Sequence, residues 1–416
     1  MKKILFVAIM AGAMFACNKQ DEITGPEENT GENTVTLTVK QAAQTRAISD
    51  QKGSSEYAVI GSGKIYFIDA SGNNIHQREL TATEIAALAN TASTAGGNTV
   101  TVTGIPNTAI TLYFVANLRT TAGTSYPAVM GTGRTEARFR IDQLQADAVH
   151  VPMAGRSTAF TAAAGAHQYT ASVELTPLVA RFELAQITCQ NQDGAAAPAV
   201  NADITGYKLS GVFMNNIHPY VLLDGTPYLV GSSVDIRNQS GWATNWGPYF
   251  NSYNTDFPYY VGGNPAAPSD WVDNAMADYC TPTSAGLTFY PDPTNGATTT
   301  NPAVTPKKAW AYQVCPSLTF TTGTPADVPH LILKLTEVAY VNNDLGKPIQ
   351  YVTVMKYKDS GGNPVNEFKP GNVYRIENLI FTHNEATAQP YEENITVTAT
   401  VSVKPWTINI IKPGWE

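Results

Sequence analysis

Charge is scarce in this chain. Asp, Glu, Lys and Arg make up 14% of it, acids outnumber bases 34 to 26, and no stretch gathers the bases into a stripe. A chain without that electrostatic footprint is not expected to bind nucleic acid. Long apolar runs are scarcer still: beyond residue 16 no segment has the length and apolarity of a transmembrane helix. Helical periodicity of core size is also missing, and Thr81 to Asn90 ("TATEIAALAN") is the best helical stretch, short and surface-like. Motifs that carry chemistry are equally thin. His76, His150, His167, His218, His330 and His383 are scattered, with no H-E-x-x-H or H-x-H spacing. There is no G-x-S-x-G elbow. "GSGKIYF" from Gly61 lacks the spacing and the Ser/Thr of a phosphate loop and runs into a strand, so it reads as a turn. Asp and Glu pairs exist, but their sequence positions do not set two carboxylates across a cleft. No catalytic residue, metal site or cofactor is expected.

Cysteine is sparse: Cys17, Cys189, Cys280 and Cys315. The last three cannot all pair within one chain, and none has a C-x-x-C partner for metal. Buried unpaired thiols are the expectation, with one disulfide plus one free thiol as the alternative in an oxidising compartment.

What is present begins at the amino terminus. Lys2 and Lys3 precede an uncharged apolar run, Ile4 to Ala16, of signal-peptide length. The run ends in Met14-Phe15-Ala16-Cys17, which looks like a bacterial lipobox, with residues 1–16 as signal peptide and Cys17 as the lipidated first residue. Acyl chains there would hold the precursor at a membrane; a plain secreted protein cut nearby is the alternative. Asn18-Lys19-Gln20-Asp21-Glu22 resembles the acidic signal that sends Bacteroidetes lipoproteins to the cell surface. Residues 21–33, acidic and rich in Gly, Asn, Thr and Pro, read as a flexible spacer.

Then the pattern changes. In "TVTLTVKQAAQTRAIS" (34–49), Val35, Leu37 and Val39 alternate with Thr34, Thr36 and Thr38, the period-two pattern of a strand with one buried face. Arg46 follows six residues after Lys40 with no charge between. Similar segments recur at 64–69, 99–102, 110–116, 137–141, 149–153, 169–174, 178–189 and 204–215, and again at 308–314, 330–338, 349–357, 372–381 and 394–403. Many short strands between turn signals predict an all-β chain of two tandem β-sandwiches, with the boundary near residue 215. Residues 225–305 differ. They are loop-like and dense in aromatics, among them Trp242, Trp246, Tyr249, Tyr259 and Trp271. Such a segment either pins a loop or subunit junction or offers a surface for a host protein or glycan; the structural role is the expectation.

The lipobox, the strand ending at an arginine, "VELTPLVARFEL" (173–184), "FKPGNVYRIENLIF" (368–381) and "ITVTATVSVKPWTINIIKPGW" (395–415) together resemble the Bacteroidetes fimbrillins, the FimA/Mfa-like type V pilins. The resemblance implies two tandem transthyretin-like Greek-key sandwiches with long loops and short helices: 47–215, and 216–416 carrying the aromatic insertion. It implies a lipidated leader, residues 17–46, that an arginine-specific protease removes between Arg46 and Ala47. The first strand (Val35, Leu37, Val39) would leave with it, and a carboxy-terminal strand of another, identical or homologous subunit would fill the groove. The precursor would then be an outer-membrane lipoprotein and the mature form a subunit of extracellular fimbriae that serve adhesion. In the tail, Ile395 to Val403 alternate, Pro405 interrupts, and Trp406, Ile408 and Ile410 resume with shifted parity. The first run is expected to belong to the chain's own second domain and Trp406 to Ile411 to be the donor; the alternative is two ordinary strands of that domain. With no further domain expected after Glu416, a stalk subunit fits better than an anchor or a tip. The rival of another class is a monomeric surface lipoprotein that binds through the aromatic segment.

Overall fold

The computed structural model describes residues 32–41, 60–89, 98–118, 138–140, 151–215, 220–223, 285–292, 296–300, 309–314, 330–388, 397–400 and 402–405. The fold is all-β, with one described α-helix, α1 (Ala82–Ala89). The first strands are β1 (Asn33–Gln41), β2 (Gly63–Asp69), β3 (Asn74–Glu79), β4 (Asn98–Ile105), β5 (Ala109–Ala116), β6 (Arg138–Arg140), β7 (Met153–Ser157), β8 (Thr161–Ala162) and β9 (Gln168–Pro177).

All but β6 form one hydrogen-bonded array in the order β3-β2-β5-β7-β9-β1-β4, with β8 on β9. Within it the two ends differ. β2 and β5 are buried on both faces over most of their length, as their unbroken apolar runs Ile65–Ile68 and Leu112–Ala116 require. β9 alternates exposed and buried residues, as does β1 between half-buried and buried ones, so this end keeps one face toward solvent. β9 is the join. Its first eight residues pair with β1, whereas Thr176 and Pro177 pair with β7.

From residue 180 the partners change. β10 (Ala180–Leu184), β11 (Ile187–Cys189), β12 (Ile204–Asn215), β13 (Tyr220–Leu222), β14 (Thr288–Asp292) and β15 (Gly296–Thr298) come first. β16 (Trp310–Val314), β17 (His330–Tyr340), β18 (Gln350–Lys358) and β19 (Pro364–Val365) follow. β20 (Asn372–Ile376), β21 (Leu379–Phe381), β22 (Val397–Thr400) and β23 (Ser402–Pro405) complete the set. Their sheets run β16-β10-β20-β23, β15-β14-β11-β21 and β12-β17-β18-β19, with β22 on β18.

Two long strands expected from sequence, 178–189 and 372–381, are each broken in two. They break together: β10 pairs parallel with β20 in one sheet, and β11 pairs parallel with β21 in another. Ala185 N–H donates to the Ile376 carbonyl and Leu379 N–H to the Gln186 carbonyl, which carries the ladder around the corner. The expected strand 394–403 is likewise split, its β22 half lying on β18 and its β23 half on β20. That run therefore belongs to the chain's own second set of sheets.

The ladders themselves divide well before residue 215. β12 ends at Asn215 and is paired along its length with β17. Among the described residues, the short β6–β13 pairing is the one ladder that joins strands before Pro177 to strands after it. The division falls in Leu178–Val179, a fully buried link whose apolarity hides it in the sequence.

Candidate functional site

The candidate site is the seat of β1. Threonine and β-branched residues in strict alternation favour the extended, half-buried state over a helix, and here both edges of the strand are occupied. β1 runs antiparallel to β4, with Val35 opposite Val102 and Leu37 opposite Val100. It runs parallel to β9, with Val35 beside Tyr169, Leu37 beside Ala171 and Val39 beside Val173. The entry is tied by Thr34 N–H, which donates to the His167 carbonyl at 2.8 Å. Val35, Leu37 and Val39 are 2%, 0% and 0% exposed, so each has left water almost completely. Burial of each such side chain contributes roughly 1.5–3 kcal/mol. On the other face Thr34, Thr36 and Thr38 are half-buried, flanked by the exposed Thr101 and Thr170.

The walls of the seat are unequal. β9 is fixed on its far side by β7 and β8. Gly155 of β7 approaches so closely that a Cβ there would lie 2.2 Å from the Glu174 carbonyl oxygen. Among the described residues β4 makes a ladder with β1 and with no other strand. Its outer edge is met by a side chain: Arg78 Nη2 donates to the Thr101 carbonyl at 3.3 Å and to Glu84 Oε1 at 2.5 Å. Glu84 also closes a capping box at the start of α1, accepting from Thr81 N–H at 2.8 Å while Thr81 Oγ1 accepts from Glu84 N–H at 3.3 Å. Partial burial works against the Glu84 carboxylate, but its bonds to Arg78 and Thr81 hold its pKa below the usual value.

Two polar clusters lie in the second set of sheets. Arg181 and Glu183 of β10 and Arg375 of β20 are 0%, 0% and 2% exposed. Arg181 Nε donates to Glu183 Oε1 at 2.7 Å, Arg375 Nη1 to Glu183 Oε2 at 2.8 Å, and Arg375 Nε to Glu377 Oε1 at 2.8 Å. The second cluster surrounds Asp203. Its carboxylate accepts from the N–H groups of Gln192, Ala199 and Val200 and meets His383 Nδ1 at 3.1 Å. Burial opposes the charge, yet these four bonds outweigh it and lower the pKa to about 2. The thiol of Cys189 is free and buried, and its pKa is pushed up to about 12 by burial, with the negative charges of Asp203 and Glu385 adding to it. A thiol held protonated in this way is the opposite of an activated nucleophile.

Of the residues singled out in the sequence, the structure brings Val35, Leu37 and Val39 together in one core-facing row. Cys17, Arg46 and Ala47 lie outside the described residues. So do the donor candidates Trp406, Ile408, Ile410 and Ile411, and the aromatics Trp242, Trp246, Tyr249, Tyr259 and Trp271. Among the described residues no three His, Cys, Asp or Glu side chains are grouped to hold a metal ion. Sequence reasoning expected strands at 99–102 and 169–174 but did not identify them, as β4 and β9, with the walls of the seat. It also missed the charged network, although R-x-E occurs in both strands that build it, Arg181-Phe182-Glu183 and Arg375-Ile376-Glu377.

No known protein family and no curated protein matches the chain by sequence. Similarity is found instead among solved structures compared in three dimensions. A fimbrilin from Porphyromonas gingivalis is 15% identical, with a TM-score of 0.43, over 90% of this chain and 98% of its own. A putative cell adhesion protein from Bacteroides eggerthii is 12% identical, with a TM-score of 0.43, over 90% of this chain and 95% of its own. The tip fimbrial protein Mfa3 of P. gingivalis is 11% identical, with a TM-score of 0.34, over 90% of this chain and 100% of its own.

Proposed function

We propose that this chain is a fimbrial stalk subunit: exported as a lipoprotein on Cys17, cut after Arg46 by an arginine-specific protease, and polymerised when a strand of another copy takes the place of β1. One observation carries the reading. β1 lies inside the array rather than at its edge, with both ladders made and three apolar side chains buried, yet the only chain that ties it to the rest is the linker through Arg46. A cut there turns a covalent part of the sheet into a separate peptide. Losing that peptide exposes an apolar furrow and two lines of unpaired N–H and C=O groups, a surface that another extended strand fits. Head-to-tail filling of such a furrow is heterologous and grows an open filament. Donation by Trp406 to Ile411 is part of the proposal. Enzymatic activity is not.

The test is limited proteolysis of the purified precursor with a trypsin-like protease, followed by an unheated denaturing gel. The expected outcome is a ladder of heat-labile multimers from wild-type protein, and an uncut monomer from Arg46→Ala. Wild-type protein that is cut after Arg46, loses its leader and stays monomeric at high concentration would overturn the proposal. The aromatic density of 242–271 favours a second reading, a tip subunit or a monomeric binder of a glycan or host protein. That reading predicts a single band from the cut chain and loss of ligand binding on replacing Trp242, Trp246 and Trp271.

A further inference from the structure

The unequal walls of the β1 seat decide the fate of the groove once β1 is lost, an inference that rests on the proposed removal of that strand. β4 depends on β1 for its whole described ladder. With β1 gone, β4 either stands apart or crosses one strand position and pairs with β9. Its direction permits the second. β1 is parallel to β9 and antiparallel to β4, so β4 and β9 are antiparallel to each other and can form an ordinary antiparallel ladder. Its sequence permits it as well. β1 reads Asn33-Thr34-Val35-Thr36-Leu37-Thr38-Val39, and β4 reads Asn98-Thr99-Val100-Thr101-Val102-Thr103. Both put aliphatic side chains on the core face, where Val100 and Val102 are already 2% and 1% exposed.

The two registers, taken through β1, bring Val102 opposite Tyr169, Val100 opposite Ala171, and Asn98 opposite Val173. The parity is right: the core-facing row of β4 meets the core-facing row of β9, and no side chain changes face. Chain connection sets which end moves. At Ile105, three residues lead into β5 (Pro106-Asn107-Thr108), and Gly104 takes the left-handed φ of +74° at the bulge beside them. At Asn98, eight residues rich in Gly, Ala, Ser and Thr separate β4 from α1. The tethered end is the pivot and the Asn98 end travels.

We infer that β4 is a built-in lid. After β1 leaves, it swings about Gly104 onto β9 and closes the groove of the freshly cut subunit. The seal is imperfect by composition. The position of Val35 is refilled by a valine, Leu37 is replaced by the smaller Val100, and Val39 is replaced by Asn98, whose amide gains nothing from an apolar site. An incoming strand with an aliphatic residue at that third position enters there first and displaces β4 toward Gly104. The lid keeps the cut monomer from exposing a bare edge, and it is weak where a second copy must begin.

Adjacent strands lie about 4.8 Å apart. Thr99 and Ser172 both neighbour Thr38, one on each side. With β1 in place, cysteines at those two positions are therefore about 9.6 Å apart, beyond disulfide reach; with the lid closed they are direct neighbours. The experiment uses full-length Thr99→Cys/Ser172→Cys, with Cys280 and Cys315 changed to Ser, under mild oxidation before and after cleavage at Arg46. The expected result is no intramolecular disulfide in the precursor and a disulfide in the cut monomer. The locked monomer should not polymerise, and polymerisation should resume on adding dithiothreitol. Hydrogen exchange on the unmodified chain checks the same point without engineered cysteines, because residues 99–103 should stay protected after the leader is gone. A cut chain that has lost its leader, forms no disulfide and loses protection across 99–103 overturns the lid while leaving strand removal intact. A leader that stays bound after cleavage overturns both.

Discussion

β1 and β10 are both interior strands with a parallel neighbour on one side and an antiparallel neighbour on the other. They are held by different physics. From Val35 to Val39 the core-facing row of β1 is aliphatic, with the buried Asn33 at its entry and threonines on the other face. β10 sends Phe182 and Leu184 to one face, while Arg181 and Glu183 are buried on the other and joined to Arg375 of β20. Aliphatic burial is non-directional, so any alternating strand of similar volume can take the place of β1. A buried carboxylate between two guanidiniums is satisfied in one register only, and either sign left alone in the interior is costly. The contrast suits a strand that leaves and a strand that stays.

The sharpest way to break the comparison is at Glu183. Glu183→Ala takes from Arg181 and Arg375 the carboxylate they share, and loss of one partner from a buried ion network costs roughly 3–5 kcal/mol. A urea titration should show that loss equally in the precursor and in the cut, leader-free chain. Leu37→Ala should cost roughly 2–5 kcal/mol in the precursor, as for other fully buried leucines. After the leader has been removed it should cost nothing, because the residue has left with it. A Leu37→Ala penalty that survives cleavage would mean β1 had not departed, and a Glu183→Ala penalty confined to the precursor would erase the distinction between the strands.

The sequence made β1 legible because its alternation is local: three aliphatic and three threonine positions settle the strand and its buried face. The same reasoning placed β5 and β12 within a residue at each end and put α1 inside Thr81 to Asn90. It failed where partners decide. The runs 178–189 and 372–381 each read as one continuous strand, and no Gly, Pro or turn cluster within either marks the corner at Ala185-Gln186 and Glu377-Asn378; the bend exists because the two strands bend as a pair. The ladders divide at Leu178–Val179, a link that reads like a strand because, buried under other elements, it is as apolar as one. The seat of β1 was half legible. Its occupant could be read, but its walls, at residues 98–105 and 168–177, are set by pairings across 59 or more positions that no local pattern encodes.

Smaller effects are expected where neither kind of core is touched. Thr81→Ala removes the hydroxyl of the α1 capping box and should cost about 1 kcal/mol. Because α1 packs beside β4 and Glu84 shares Arg78 with the β4 edge, the loss should appear as faster hydrogen exchange in α1 and 98–105, and not in the sheets of β10 and β20.

The mildest perturbation is acid. The folded pKa of Asp203, about 2, lies below the usual carboxylate value of 3.8, so the folded state favours the ionised form. The stabilisation is complete above the unfolded pKa and is lost as pH falls from about 4 toward 2. The bonds at stake tie residues 191–203 to His383 and hence to the end of β21. Thermal melts of the cut chain between pH 5 and pH 2 should therefore show a decline that Asp203→Asn flattens, since an amide cannot titrate. The seat of β1 holds no carboxylate among its described core-facing residues, so release of the leader after cleavage should not change over that range. If acid instead governed leader release, a charged group would have to hold β1, and the contrast between a strand fixed by charge and one held by aliphatic burial would fail.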